Sequence, residues 1–291
     1  MPAALLEGKP VAERIKGSIQ KEIADLKAKY GKAPKLLALQ AGENASSAIY
    51  VKNQKKAAEL LGIEYELSAL PGSAGQAEIE DAIKALNRDA SITAVILQQP
   101  MPKGVDARKM ISLIAPEKDA EGMHPQNIGK ILFGGYKIAP CTAMAVMELL
   151  ESIKVNLYGK EAVVVGHSDI VGKPLSLMLL NKFATTTVCH IATGERGVLS
   201  DHVKSAEVLV VAVGKAGLVK GEWIKEGAIV IDVGINRVGD KILGDVEFEG
   251  ASQKAAYITP VPGGVGPLTT TILMRNVVEL FKSGGRDDLL R

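Results

Sequence analysis

A chain of 291 residues is long enough for two ordinary domains, each with a buried core of its own. Hydrophobic residues make up 47% of it and charged residues 23%, a balance that excludes disordered and fibrous classes of protein. The 35 Lys and Arg residues against 33 Asp and Glu residues give a formal net charge of +2, without a long run of one sign. We therefore expect no nucleic-acid partner.

Two cysteines, Cys141 and Cys189, are too few for a disulfide framework and match no zinc spacing, so we expect free intracellular thiols. The opening MPAALLEGKP lacks a basic segment followed by a long apolar stretch, and the apolar runs end after a few residues. We expect a cytoplasmic protein that does not contact a membrane. The histidines show no metal-ligand spacing, which predicts no metal site; they are His124, His167, His190 and His202.

The hydrophobic period of the first half changes repeatedly from helical to short continuous runs. This pattern predicts helices over residues 10–29, 44–61, 76–88 and 142–152, and strands over 36–40, 64–68 and 93–97. Short continuous apolar runs are typical of parallel strands that are buried on both faces. The first half is therefore expected to be an α/β domain.

The second half continues the alternation at shorter intervals. It predicts strands over 162–165, 186–190, 208–212 and 228–232, and helices over 171–181, 199–204, 221–225 and 267–282. Strands that alternate with helices in this way favour a doubly wound parallel sheet. We expect the last helix to return and pack on the first domain, which would make the domain division discontinuous.

A glycine-rich turn follows the strand predicted at 162–165. The segment VVVGHSDIVGKP places Gly166 after the strand and Gly172 before a helix, as a phosphate-binding turn requires. Its spacing is G-x-S-x-x-x-G, not G-x-G-x-x-G, so the segment alone fits an ordinary tight βα turn equally well. A dinucleotide site is one of two interpretations at this point.

The acidic residue that commonly binds a ribose diol is missing from the end of the next strand, where His190 and Ile191 stand. A 2′-phosphate would need a cation there, and His167, Lys173 or Arg196 are the candidates. The choice between NAD and NADP stays open, with a preference for NAD because Ile191 supplies no charge.

Several ordered segments carry a family resemblance: GENASSAIYVKNQKKAAELLGI, ILQQPMPKGVD, PEKDAEGMHPQNIG, APCTAMAV, VVVGHSDIVGKP, GAIVIDVGINR and YITPVPGGVGPLTT. Together they resemble the methylenetetrahydrofolate dehydrogenase/cyclohydrolase family over essentially the whole chain. The resemblance implies an N-terminal α/β folate domain, 1–140 completed by 268–291, and a Rossmann-like dinucleotide domain, 141–267. It further implies a folate substrate, NADP or NAD as cofactor, and a homodimer.

The resemblance also implies roles for individual residues. Tyr50 matches the tyrosine that stacks on the folate rings, and Gln98 matches a glutamine beside the reacting carbon. The remaining residues expected to bind substrate are Lys52, Gln99, Asp119, Glu121, Pro262, Gly263, Gly264 and Val265. Those expected to bind the dinucleotide are Gly166, His167, Ser168, Ile191 and Ile235.

Two positions depart from the family pattern. The catalytic lysine of the family lies four residues after the tyrosine, and here that position is Gln54. The second acid of the family's D-V-D-G string is here Glu121, which keeps the charge but adds a methylene. With Tyr50 and Gln98, these residues form the expected catalytic set.

Hydride transfer to nicotinamide needs geometry more than proton movement, whereas hydrolysis of the methenyl product must move protons. A glutamine has no proton to exchange in the useful range. We therefore predict oxidation of 5,10-methylenetetrahydrofolate to 5,10-methenyltetrahydrofolate, with a weak or absent cyclohydrolase step. The alternatives are a fully bifunctional enzyme that forms 10-formyltetrahydrofolate, with Lys55, Lys56 or water replacing the lysine, and a non-catalytic folate- or dinucleotide-binding protein.

Overall fold

The structure is a computed structural model that describes residues 2–42 and 45–287. The helices are α1 (Gly8–Tyr30), α2 (Ala45–Leu61), α3 (Gln76–Arg88), α4 (Ala107–Leu113), α5 (Pro125–Leu132), α6 (Cys141–Ser152), α7 (Gly172–Leu180), α8 (Ile191–Glu195), α9 (Leu199–Ser205), α10 (Phe248–Lys254) and α11 (Gly266–Asp287). The strands are β1 (Ala4–Leu5), β2 (Lys35–Ala41), β3 (Glu64–Leu70), β4 (Ala94–Leu97), β5 (Glu161–Val165), β6 (Thr185–Cys189), β7 (Val208–Val211), β8 (Ile229–Asp232), β9 (Asn236–Val238), β10 (Lys241–Leu243) and β11 (Tyr257–Ile258).

These elements form two compact units. The three-stranded unit comprises Arg14–Lys130, Tyr136–Ala139 and Thr270–Arg291, and the six-stranded unit comprises Met1–Glu13, Ile131–Gly135 and Pro140–Thr269. The division differs from the predicted domain bounds at Met1–Glu13 and Ile131–Gly135, which group with the six-stranded unit. The bounds of the folate and dinucleotide domains stay a prediction.

The three-stranded unit is built on a parallel sheet in the order β3-β2-β4. Strand β2 lies in the middle because its apolar run, KLLALQA, suits burial on both faces. Leu36 pairs with Tyr65 on one side and with Ala94 on the other. Buried side chains of β2, β4, α3 and α4 form the core, among them Leu39, Val95, Ile79 and Met110.

The six-stranded unit is built on a parallel sheet in the order β1-β11-β8-β7-β5-β6. The chain passes from β5 to β6 on one side and later returns to β7 on the other side of β5. Such a change of direction opens a crevice at the carboxyl ends of the strands, where doubly wound proteins bind their ligands. A core of aliphatic side chains, mostly valines, from β5, β7, β8 and β11 supports this sheet.

The structure confirms the two-domain α/β fold class with parallel sheets. Each predicted strand is present, and helix α11 runs through Asp287, beyond its predicted end. The helix predicted at 221–225 is instead a single turn of 3-10 helix, Gly221–Trp223, and residue 44 of the second predicted helix lies outside the described residues. Among the described residues, no helix has the length and apolar character needed to cross a membrane.

Helix α11 contributes to the three-stranded unit from Thr270 onwards. The Asn276 side chain donates to the carbonyl oxygens of Ala120 (2.9 Å) and Ala139 (3.3 Å). The ring of Phe281 meets that of Tyr30 edge to face, with 5.9 Å between the ring centroids. These contacts fix the C-terminal helix beside the segment that carries Asp119 and Glu121.

Candidate active site

The first group of candidate residues meets around Gln54, on the face of α2 that covers the sheet. Its Oε1 accepts a hydrogen bond from Nε2 of Gln98 (2.8 Å) and another from the hydroxyl of Tyr65 (3.2 Å). Gln98 directly follows β4, is only 7% exposed, and donates its backbone N–H to the Leu39 carbonyl. One amide oxygen therefore ties α2 to two strands of the sheet.

Tyr65 fits no sequence motif, and the sequence alone does not identify it as a site residue. Burial raises the pKa of its phenol to about 12, so the hydroxyl stays a neutral hydrogen-bond donor at neutral pH. The available signal was its position near the start of β3, opposite Leu36 in the register of the sheet. That position becomes informative only once the pairing of β2 and β3 is known.

The lysines near Gln54 lie on the exposed surface of α2. Lys52, Lys55 and Lys56 are all exposed on α2. The Lys55 ammonium lies 3.9 Å from the Glu59 carboxylate, one helical turn further on. A helix turns by about 100° per residue, which explains why the residue after Gln54 faces solvent. The alternative in which Lys55 or Lys56 replaces the lysine of the family pattern stays a prediction.

Tyr50 lies one helical turn before Gln54 and has 63% of its surface exposed. A tyrosine ring this accessible offers a flat apolar face to a ligand. Gln99, the neighbour of Gln98, is also exposed. The roles of Tyr50, Lys52 and Gln99 in folate binding stay predictions.

Asp119 is buried and holds a turn together. It is 2% exposed, and its Oδ2 accepts hydrogen bonds from the His124 backbone N–H (2.7 Å) and the Asn127 side-chain amide (2.9 Å). These bonds bring the start of α5 back towards the strand edge. Its predicted contact with substrate stays a prediction, and this turn is the role that the hydrogen bonds of the structure support.

Glu121 ends a segment that runs beside β4. Val95 donates to the Lys118 carbonyl (2.7 Å), and Ala120 donates back to the Val95 carbonyl (3.3 Å). The Glu121 carboxylate accepts a hydrogen bond from the backbone N–H of Leu97, the residue before Gln98. Glu121 and Gln98 therefore lie near the same end of β4, and their roles in binding substrate stay predictions.

The electrostatic environment of Glu121 is unusual for a carboxyl group. Burial, with a smaller contribution from the Asp119 charge, raises its pKa to about 7, although the Leu97 N–H opposes the shift. The residue keeps some accessible surface, but its carboxyl group lies within the protein. Near neutral pH this group can either hold or release a proton.

The Pro262–Gly263–Gly264–Val265 loop belongs to the six-stranded unit and leads into α11. Gly263 has a positive φ of 115°, and its carbonyl accepts the backbone N–H of Gly8 (2.9 Å). A Cβ on Gly264 would lie 2.8 Å from the Pro260 oxygen, too close for a side chain. The two glycines are therefore required by backbone geometry, and the predicted substrate contacts of this loop stay predictions.

The second group of candidate residues lines a cavity of about 760 Å³ at the carboxyl ends of β5, β6 and β7. It lies at the topological switch point of the six-stranded sheet. Four predicted residues are on its wall, Gly166, His167, Ser168 and Ile191. The fifth, Ile235, does not line the cavity as described and lies beside Gly266.

The glycine turn of this cavity has the form that a bound pyrophosphate needs. Gly166 has a φ of 121°, and a Cβ there would collide with the Ala212 carbonyl oxygen. A Cβ on Gly172, at the start of α7, would lie 2.8 Å from Cα of His167. Only glycine allows the strand, the turn and the helix to approach so closely. The residues present therefore fit a nicotinamide dinucleotide.

Two histidines line the cavity at the ends of β5 and β6. The rings of His167, after β5, and His190, after β6, lie 5.4 Å apart between centroids. Ile191 follows, with 77% of its surface exposed. The missing acid is thus replaced by two imidazoles and an apolar side chain. Among the described residues, no cluster of His, Cys, Asp or Glu could hold a metal ion.

Comparison with known protein families finds two models that match the chain. Residues 6–121 match the model of the tetrahydrofolate dehydrogenase/cyclohydrolase catalytic domain, and residues 140–284 match that of its NAD(P)-binding domain. The chain belongs to the tetrahydrofolate dehydrogenase/cyclohydrolase family. It is therefore an enzyme of an oxidoreductase family that uses a nicotinamide dinucleotide, as the sequence resemblance implied.

Relatives match along nearly the whole length of the chain. The bifunctional protein FolD of Moorella thermoacetica is 46% identical over 280 residues, which cover 96% of this chain and 99% of that protein. A crystal structure of FolD from Campylobacter jejuni, described as a methylenetetrahydrofolate dehydrogenase/cyclohydrolase, superimposes with a TM-score of 0.93 at 40% identity, covering 97% of this chain and 99% of that one. The Trypanosoma brucei enzyme, solved with NADP and an inhibitor, gives 0.93 at 39% identity over 98% of this chain and 99% of that one.

Proposed function

We propose that this chain oxidises 5,10-methylenetetrahydrofolate to 5,10-methenyltetrahydrofolate with NAD or NADP. The proposal is carried by the presence of two features in one member of this family. A glycine-lined cavity lies at the switch point of the six-stranded sheet, and a polar Gln54–Gln98 group lies in the catalytic domain. The three-stranded unit supplies the folate side of the reaction, and the six-stranded unit supplies the dinucleotide side.

Each candidate residue has its own role in binding the substrate or the dinucleotide. Tyr50 presents its exposed ring to the folate, and the anionic form of Glu121 accepts hydrogen bonds from the pterin edge. Gln98, fixed by its bond to Gln54, lies beside the reacting carbon. Gly166, His167 and Ser168 hold the dinucleotide, which when bound accepts hydride from the one-carbon unit. The protein moves no proton in this step, so positioning dominates.

The second reaction of the family hydrolyses the methenyl product to 10-formyltetrahydrofolate. The near full-length similarity to proteins named bifunctional favours an enzyme that performs both reactions, better than it favours loss of the hydrolytic step. This fully bifunctional alternative is supported by the comparisons as a whole. A cytoplasmic homodimer also stays a proposal, which rests on the family resemblance.

One local observation favours a weak hydrolytic step. Gln54 occupies the position of the family's catalytic lysine, and its amide oxygen is already engaged by Gln98 and Tyr65. Loss of one general acid or base commonly lowers a rate by about 10²–10⁴-fold. The hydrolytic rate is therefore the quantity that separates the two versions of the proposal.

The test is a pair of assays on the purified protein. The first follows formation of reduced dinucleotide from methylenetetrahydrofolate with NAD or NADP, and the second follows decay of added methenyltetrahydrofolate without dinucleotide. Activity in the first assay alone supports the dehydrogenase with a weak second step, and activity in both supports the bifunctional enzyme. Absence of substrate-dependent dinucleotide reduction would contradict the proposal and favour a non-catalytic binding protein.

A further inference from the structure

Asp245 is a fully buried carboxylate between β10 and α10 in the six-stranded unit. Its oxygens accept hydrogen bonds from three consecutive backbone N–H groups, those of Val213 (2.7 Å), Gly214 (3.0 Å) and Lys215 (2.8 Å). Successive N–H groups that curve around an anion form a nest, which stabilises both the anion and the loop. The conformation of the loop after β7 therefore depends on a carboxylate about 30 residues later in the chain.

The loop held in this way is part of the wall of the dinucleotide cavity. Val213 and Lys215 both line the cavity, and each donates its backbone N–H to Asp245 on the buried side. The Asp245 carboxylate thus stabilises the cavity wall from its buried side. Removing it would break three part-buried hydrogen bonds and leave three adjacent N–H groups without their anionic partner, which is unfavourable for the present loop conformation.

The same carboxylate also holds the segment that carries Ile235. The side-chain amide of Asn236 donates to Asp245 Oδ1 (2.8 Å), and the backbone N–H of Gly234 donates to Asp232 Oδ1 (2.9 Å). Ile235 therefore lies between two residues that are each bound by a buried aspartate. This arrangement fixes the chain on both sides of a predicted cofactor residue.

Asp232 and Asp245 are linked by backbone hydrogen bonds. Asp232 accepts the backbone N–H groups of Asp245 (2.9 Å) and Val246 (2.8 Å), so the first aspartate positions the second. Gly234 and Gly244 leave room for the two carboxyl groups, because a Cβ on Gly234 would collide with the carboxyl of Asp245 and one on Gly244 with that of Asp232. The backbone hydrogen bonds and the two glycines thus accommodate both buried carboxyl groups.

We propose that Asp245 is a positioning residue for the dinucleotide, because it holds the Val213–Gly214–Lys215 wall and the Ile235–Asn236 segment in the arrangement that binds the cofactor. The inference rests on the proposed function, since it assumes that a dinucleotide enters this cavity. Asp245 itself is buried behind the wall and takes no part in the chemistry.

The test uses Asp245→Asn, which keeps the size of the side chain but replaces one acceptor oxygen by an NH2 group facing N–H donors. If the binding-competent loop falls to about a tenth of the population, the apparent Kd rises about tenfold. We expect the KM and Kd for the dinucleotide to rise about tenfold or more, while the KM for methylenetetrahydrofolate and the kcat at saturating dinucleotide change less than about twofold. A purely structural residue would lower the folded fraction without separating these constants.

Asp240→Asn is the matched control, because Asp240 is exposed at the turn of the β9–β10 hairpin and the chemical change is the same. It should leave both KM values unchanged. A folded Asp245→Asn protein with a wild-type KM and Kd for the dinucleotide would overturn the inference. So would equal increases in the dinucleotide and folate KM values.

If Asp245→Asn does not fold, Asn236→Ala replaces it, since this change removes one of the four hydrogen bonds to the carboxylate. It should raise the dinucleotide KM about threefold or more and leave the folate KM unchanged, and an unchanged dinucleotide KM would overturn the inference. Assays of the wild-type protein distinguish failure of the proposed function from failure of the inference about Asp245. If it neither binds nor reduces dinucleotide, the proposed function fails; if it does both and the variants match it, only the role of Asp245 fails.

Discussion

The side-chain amide of Gln98 donates a hydrogen bond to Oε1 of Gln54 over 2.8 Å, from a strand end to the covering helix. Tyr65 donates to the same oxygen from the neighbouring strand. A lysine at position 54 would bring an ammonium group to the same place, because its side chain leaves the helix in the same direction. Position 54 is thus directed at the candidate site although its present residue cannot move a proton.

Replacing Gln54 by Lys is therefore expected to raise methenyltetrahydrofolate hydrolysis. An ammonium group beside Gln98 and Tyr65 could exchange protons, and a general acid or base contributes about 10²–10⁴-fold, so we expect an increase of tenfold or more. The measurement is the decay of methenyltetrahydrofolate without dinucleotide. Asn53→Lys adds the same charge on the exposed side of α2 and should have no effect. Equal hydrolysis by wild type and a folded Gln54→Lys protein would contradict the explanation.

Replacing Tyr65 by Phe is expected to loosen Gln54 without abolishing hydride transfer. The change removes one hydrogen bond but leaves the bond from Gln98, so the free energy of unfolding should fall by about 0.5–1.5 kcal/mol. Dehydrogenase kcat/KM should fall less than about tenfold, because Tyr65 holds Gln54 and not the substrate. Chemical denaturation and initial rates measure the two effects. Tyr158→Phe, at an exposed tyrosine of the other unit, is the control, and an equal loss of stability there would count against the argument.

Much of the secondary structure could be predicted, because long helices and strands show a clear hydrophobic periodicity. The runs KLLALQA and EAVVV are apolar enough to specify buried parallel strands, and they match β2 and β5. Strands β1 and β11 were not predicted, because two residues carry no period at all. The pairing of β1 with β11 joins residues that are far apart in the chain, such as Ala4 beside Tyr257.

The candidate site was predictable only in part for a similar reason. A residue that fits a linear motif, such as Gly166, can be found from spacing, and its positive φ gives the physical cause. Tyr65 and Asp245 fit no motif, because their partners lie on other elements: Tyr65 meets Gln54, and Asp245 meets the loop after β7. Such contacts follow from sheet register and loop closure, which local patterns do not encode.

The pH dependence of stability should report the buried carboxyl groups. The pKa of Glu121 is raised from 4.5 to about 7, so the folded state binds its proton more tightly than the unfolded state does. Protonated Glu121 makes its full contribution to the free energy of unfolding below its unfolded-state pKa of 4.5. This contribution is lost as the pH rises through about 7. Asp232, whose pKa is raised to about 6 mainly by burial, acts in the same direction at lower pH. Stability should therefore decline from mildly acidic to neutral pH.

Glu121→Gln isolates the contribution of one group. The variant should lose the part of the decline centred near pH 7, a difference of up to about 3 kcal/mol, and keep the part due to Asp232. Denaturation curves at several pH values measure it. Glu117→Gln, an exposed glutamate on the same segment, should follow the wild-type curve. A Glu121→Gln curve parallel to wild type would show that Glu121 does not titrate in this range.

Replacing Gly166 by Ala is expected to remove dinucleotide binding and to destabilise the six-stranded unit. The added Cβ would collide with the Ala212 carbonyl oxygen, and the φ of 121° is strained for any residue with a side chain. A residue forced into such a region costs about 1–3 kcal/mol, and relief of the collision would displace the turn that faces the pyrophosphate. Fluorescence titration with NADH and NADPH measures binding, and thermal unfolding measures stability. Gly135→Ala, where a Cβ meets open space in the same unit, should bind like wild type. Wild-type affinity in a folded Gly166→Ala protein would show that this turn does not hold the dinucleotide.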